Sequence, residues 1–158
     1  MAIADRIAVM EAGRVVQAGS AEDLYARPAT SFVAGFIGRV NTLAGRVRGR
    51  EGGTLVVEAY GRMLRVDWEG APPLPGAPVA LAVRPETIEL TPAASDHDSA
   101  VVVSRVFLGD KVDYLVDWHG LQLLVCAWDP ARHARFTPGA RVDVRLPEGG
   151  VRALPAVP

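Results

Sequence analysis

An internal repeat constrains this chain more than any other feature. Gly45-Arg46-Val47 is matched by Ser104-Arg105-Val106. Gly61 with Met63-Leu64-Arg65-Val66 is matched by Gly120 with Gln122-Leu123-Leu124-Val125, and the two matches share one offset. Pro75-Gly76, with Val79, Leu81 and Val83, recurs at a slightly larger offset as Pro138-Gly139 with Val142, Val144 and Leu146. Pro85-Glu86 then recurs as Pro147-Glu148. Elements repeating in one order with small drift indicate duplication. The extra residues of the second copy fall after Trp128, around Ala131-Arg132-His133-Ala134.

Each copy reads as strand, hairpin, strand, Pro-Gly turn, strand. Proline fixes φ at about −65° and glycine supplies the positive φ of a type II turn. The strand Val142-Asp143-Val144-Arg145-Leu146 alternates, so one face is buried and the other wet. Its counterpart from Val79 to Val83 is wholly apolar, which implies burial on both faces. The expectation is an all-β barrel or sandwich, with the halves sharing strands so that neither is left with open edges. The polar segment from Thr91 to Ser99 reads as the surface linker between them.

Before Asn41 the texture differs. Ile7-Ala8-Val9-Met10 and Val15-Val16-Gln17-Ala18 flank a tight turn in which Gly13 takes positive φ. Ser20 and Asp23 resemble a capping box opening a short helix that stops before Pro28. Thr30 caps a second helix bearing Phe32, Val33, Phe36 and Ile37, with Gly38 as its stop.

Several functions are excluded by what the residues cannot build. The lone lysine, Lys111, sits in Gly109-Asp110-Lys111-Val112, which is no phosphate-cradling loop. Gly45-Arg46-Val47-Arg48-Gly49 runs into strand, so it is no dinucleotide loop. His97, His119 and His133 are far apart, and Asp96-His97-Asp98 reads as a solvated loop before a metal site. Cys126 is the one cysteine, in an apolar run, and reads as a buried thiol. Net charge is −1 and aromatics are 6%, against the basic, aromatic-rich groove of a nucleic-acid binder. No apolar run approaches the roughly 18–20 residues that span a bilayer, and the expectation is a cytoplasmic, soluble protein without direct membrane insertion.

Two patches remain as binding candidates. Arg84-Pro85-Glu86 ends the buried strand; a structural pair tying strand to turn is preferred there over a ligand contact. In Leu108-Gly109-Asp110-Lys111 the glycine permits either a bend or close approach to a ligand. Were an anionic solute bound, Arg84, Arg105 and Lys111 are its positive partners, with Glu86 and Gly109 beside them. No metal or cofactor site is expected.

The run Ala4-Asp5-Arg6-Ile7-Ala8-Val9-Met10-Glu11-Ala12-Gly13-Arg14 resembles the segment after the switch histidine of ABC ATPase subunits. The likeness continues through Val16 to Ser20, Asp23 to Pro28 and Phe32 to Gly38, in the manner of the maltose, polyamine and ferric-iron importer branch. Ala21 departs from it, standing where that branch carries proline. From Asn41 the chain resembles the transport-associated OB-like module, TOBE, through Gly45-Arg46-Val47, Val83-Arg84-Pro85-Glu86, Leu108-Gly109, Tyr114-Leu115-Val116 and Pro138-Gly139. This resemblance implies a mainly β fold, an OB-like β-barrel or sandwich of two tandem half-repeats, preceded by a β-hairpin and two helices. It implies an ATPase remnant over 1–38 and a TOBE domain over 39–158, with halves at about 41–90 and 100–154. The nucleotide motifs of such subunits lie upstream of Met1, so ATP and Mg belong to the full-length parent and this fragment is no enzyme. The implied role is regulation and dimerisation: a homodimer, peripheral to the inner membrane, working with permease subunits and sensing a small solute. The competing reading is a stand-alone binding module for an oxyanion or another solute.

Overall fold

The computed structural model describes residues 4–94, 99–129, 135–147 and 149–156. Asp96-His97-Asp98, the 131–134 segment with His133, and Glu148 lie outside the described residues. The chain forms two compact units, Met1–Ala82 with Arg152–Pro158, and Val83–Val151.

The first unit opens with a hairpin of β1 (Ile7–Glu11) and β2 (Arg14–Gly19), joined through Ala12 and Gly13 at φ 48° and 79°. Two successive positive φ values make the tight turn that suits twisted strands. Helix α1 (Ala21–Ala26) begins at Ser20, whose hydroxyl accepts from the Asp23 amide at 3.0 Å. Helix α2 (Ser31–Ile37) begins at Thr30, which accepts from the Val33 amide at 3.2 Å. Both caps satisfy an amide that the first helical turn leaves without an intrahelical partner. Val9, Leu24 and Val33 are buried together, which fixes both helices on the hairpin.

A five-stranded sheet follows. Its strands are β3 (Asn41–Glu51), β4 (Thr54–Ala59), β5 (Arg62–Val66), β6 (Pro78–Val83) and, from the chain end, β12 (Val151–Pro155), in the order β12-β6-β3-β4-β5. Strand β6 is buried on both faces, as its apolar run requires. Ala80 and Ala82 pack with Ala34 of α2 and with Leu154. Small side chains there let the helix lie close to the sheet. The opening helices therefore fold with the first β unit, and compact packing does not divide the chain at residue 38.

The second unit holds β7 (Glu89–Pro92), β8 (Ala100–Phe107), β9 (Lys111–Trp118), β10 (Leu121–Trp128) and β11 (Arg141–Arg145). Their order is β10-β9-β8-β11-β7, which repeats the order of the first sheet. The fifth place in each sheet is filled by exchange. The strand following β6 pairs with β11, and the strand following β11 pairs with β6. Thr91 and Pro92, expected in a linker, are thus ladder residues opposite Asp143 and Val142. Proline is tolerated because β7 is an edge strand. Trp118, Leu123, Val116 and Val142 form part of the buried interior of this unit. A fully buried side chain of this kind contributes about 1.5–3 kcal/mol over an exposed one.

Backbone hydrogen bonds give the register of the repeat. The Gly76 amide donates to the Val47 carbonyl at 2.7 Å and the Val47 amide to the Ala77 carbonyl at 3.0 Å. In the second unit Gly139 donates to Val102 at 2.8 Å, and Val102 to Ala140 at 2.9 Å. A register shift follows each valine, between Val47 and Gly49 and between Val102 and Ser104. Val47 therefore corresponds to Val102, not to Val106, and Arg50 rather than Arg46 corresponds to Arg105. The second copy holds its extra residues of this region in the β8–β9 hairpin, through Phe107, Leu108, Gly109 and Asp110.

Candidate functional site

Within the second unit the two edges of the sheet are β10 and β7, and they face each other across a seam. The short 3-10 turn Pro85–Thr87 packs against β10 at one side of it. A cavity of about 390 Å³ opens there, lined by Glu86 and Glu89 on one side and by Val125 and Trp128 of β10 on the other. Tyr114 and Phe136 also line it; their ring centres are 6.1 Å apart in an edge-on arrangement. Both of these rings are buried, whereas Trp128 is half exposed. Cys126, buried as its apolar run implies, lies along the same wall.

The first unit closes the corresponding seam differently. Its edges are β5 and β12, and Asp67, just after β5, bridges Arg152 of β12 in a parallel pairing. The Arg152 guanidinium then meets the Glu69 carboxylate at 2.5 Å. Residues 66 and 125 occupy the same station opposite Leu55 and Tyr114; β5 ends there, whereas β10 runs on to Trp128. The ion pair lies at one seam, beside a smaller cavity of about 140 Å³ that Trp68 also lines. Aromatic and acidic side chains line the other.

The five residues singled out by sequence are all in the second unit, but they do not converge on one point. Arg84 leads into the 3-10 turn, and its carbonyl accepts from both the amide and hydroxyl of Thr87. Glu86 lies in that turn and lines the cavity. Arg105 stands opposite Tyr114 on β8, its Nε buried without a hydrogen-bond partner among the described residues. Gly109, at φ 91°, makes the β8–β9 bend. Lys111 begins β9 and holds its Nζ 5.1 Å from the centre of the Trp128 ring. Neither Arg84, Arg105 nor Lys111 lines the cavity. The aromatic wall and Glu89 escape a sequence reading, because only the exchange of β7 brings them to one seam.

A shallower concavity in the first unit is lined by Arg46, Arg48, Glu58 and Tyr60. Its arginines are engaged: Arg46 donates to the Gly76 carbonyl at 3.0 Å, and Arg48 is paired with Glu58. Among the described residues no group of three or more His, Cys, Asp or Glu side chains is placed to hold a metal. No helix among them is long and apolar enough to cross a membrane.

Residues 81–154 match the family model of the TOBE domain. The chain is 36% identical over 155 residues to the Fe(3+) ions import ATP-binding protein FbpC of Brucella abortus (strain 2308), covering 98% of this chain and 42% of that one. It is 36% identical over 147 residues to the spermidine/putrescine import ATP-binding protein PotA of Rubrobacter xylanophilus, covering 91% and 39%. The chain thus spans less than half the length of these curated relatives. Among solved structures, the cytoplasmic molybdate-binding protein ModG, with molybdate bound, superposes with a TM-score of 0.58 at 16% identity. That likeness covers 75% of this chain and 96% of the other, and it shows the tandem OB-like fold.

Proposed function

We propose, for a chain that carries a TOBE domain and matches the C-terminal region of ABC importer ATP-binding subunits, that it serves as the regulatory and dimerisation module of such a subunit. The observation that carries this reading is the extent of the match. Nearly the whole chain, hairpin and helices included, aligns with one contiguous part of importer subunits. In this reading ATP and Mg bind in the parent subunit, the fragment hydrolyses none, and permease subunits are reached through the parent. The complex is cytoplasmic and peripheral to the inner membrane.

Pairing is supported by one surface. Beyond Val101 the outer edge of β8 has no ladder with β11. There Val103, Val106, Phe107 and Leu108 are exposed, Phe107 at 60%. Contiguous apolar exposure of this kind is a feature of association surfaces. A second copy of the chain is the proposed occupant.

A chimaera tests the module reading. The matching 155 residues of the Brucella FbpC subunit are replaced by this chain. The expected product is soluble, hydrolyses ATP and supports uptake when paired with its permease. An insoluble or inactive chimaera, alongside an active parent prepared identically, contradicts the reading.

A second reading, solute binding, is favoured by the cavity at the β7–β10 seam and by the ModG-like fold. The two readings are compatible, since a module that pairs subunits can also sense.

A further inference from the structure

We infer that the outer edge of β8 is itself the pairing element: two copies of the chain join their β8 strands antiparallel about Val106, with Arg105 of each set against the Phe107 ring of the other. This deepens the pairing reading above and rests on it.

The alternation of the ladder shows which backbone groups are available. The β8–β9 hairpin closes with the Leu108 amide donating to the Lys111 carbonyl at 2.9 Å. Hydrogen-bonded and non-hydrogen-bonded pairs alternate along an antiparallel ladder. Leu108, Val106 and Ser104 therefore turn their backbone groups to β9, while Phe107, Arg105 and, past the register shift, Val102 turn theirs outward. Val102 confirms the phase, since it donates to Ala140 at 2.9 Å and accepts from Gly139 at 2.8 Å on that outer side. By Arg105 the ladder with β11 has ended. Among the described residues nothing pairs with the outward amides and carbonyls of Arg105 and Phe107. An edge of this kind is a template for another strand.

The strand is its own complement. With Val106 on a two-fold axis, Arg105 of one copy lies opposite Phe107 of the other, and each such pair exchanges two backbone bonds. Other centres fail. About Arg105, two guanidinium groups stand directly opposed, which destabilises a strand pair. About Phe107, Arg105 meets Gly109, which lies in the bend at φ 91° and has left the strand. Side chains favour the same register. Arg105 and Phe107 stand opposite Tyr114 and Val112, so both project from one face of the sheet. The Arg105 Nε is buried without a hydrogen-bond partner among the described residues, and Phe107 is 60% exposed. A buried N–H without a partner is costly, and an aromatic face set beside the guanidinium offsets that cost. On the other face the exposed Val106 meets its own copy.

Cross-linking of the whole chain tests this, with Val106→Cys compared against Leu108→Cys. Both side chains are exposed, so neither change opens a core, and the parent serves as control because its own Cys126 is buried. In a non-hydrogen-bonded pair the Cα atoms are about 4.5 Å apart, within disulfide range. In the same register the two copies of Leu108 are about 13 Å apart, beyond it. Under mild oxidation Val106→Cys is expected to form a covalent dimer at least about tenfold faster than Leu108→Cys, and the parent to form none. Equal rates overturn this pairing mode, as does a dimer in sedimentation whose Val106→Cys form does not cross-link. Either result leaves the pairing reading itself standing. A chain that sediments as a monomer at every concentration overturns both, so the two failures are distinguishable.

Discussion

Lys111 lies over Trp128, its ammonium 5.1 Å from the ring centre, in a cross-strand pair at the open end of β9 and β10. The two residues are directly opposite in the ladder, so the contact costs little backbone ordering beyond what the sheet already imposes. An exposed cation–π contact is worth about 0.5–1 kcal/mol. In a double-mutant cycle of Lys111→Met and Trp128→Leu, read by urea unfolding, the coupling is expected in that range. A coupling near zero shows that the pair is only adjacent.

Gly45 is a close-approach glycine. A Cβ placed there meets Val57 Cγ1 at 2.6 Å and Leu81 Cδ1 at 3.3 Å, both from buried side chains. Gly45→Ala is expected to destabilise by about 1–3 kcal/mol through overpacking. Gly49, in the same strand, has nothing within 4 Å of the same position, and Gly49→Ala stays within about 0.5 kcal/mol of the parent. Thermal unfolding of both variants checks the contrast.

The cap of α1 gives a pH dependence. Asp23 receives the Ser20 hydroxyl at 2.7 Å and pairs with Arg27, and these contacts hold its carboxyl below the usual 3.8. A depressed folded-state pKa stabilises above the unfolded value and is lost as pH falls through the folded one. Asp23→Asn is therefore expected to melt below the parent above about pH 4, with the gap narrowing as acid protonates Asp23. Ser20→Ala removes the cap acceptor and costs about 1 kcal/mol.

The parts of this fold that are legible in sequence are those fixed by near neighbours. Gly13, Ser20, Thr30 and the Pro-Gly pairs each act within a few residues, and each makes the turn or cap its chemistry implies. The apolar run from Val79 to Val83 likewise announces burial on both faces. The exchange of β7 and β12 is invisible locally, because Glu89–Pro92 and Val151–Pro155 carry no mark of which sheet they join. The true register of the first strand is masked by chance similarity, since Arg46-Val47 and Arg105-Val106 match as letters. A sequence signal does exist: Val47 to Gly61 is shorter than Val102 to Gly120, while the hairpins after them match. The candidate site follows the same pattern. Glu86 is legible because it abuts a proline turn, whereas Tyr114, Trp128 and Glu89 need the sheet order to meet.

The central claim is that this chain is a pairing module, and sedimentation velocity over a range of concentration tests it most directly. A species of twice the chain mass of 16.8 kDa is expected, reverting to the single mass in Phe107→Ser combined with Leu108→Ser without loss of strand signal in circular dichroism. Sedimentation at 16.8 kDa at every concentration, or a double variant that still pairs, contradicts it.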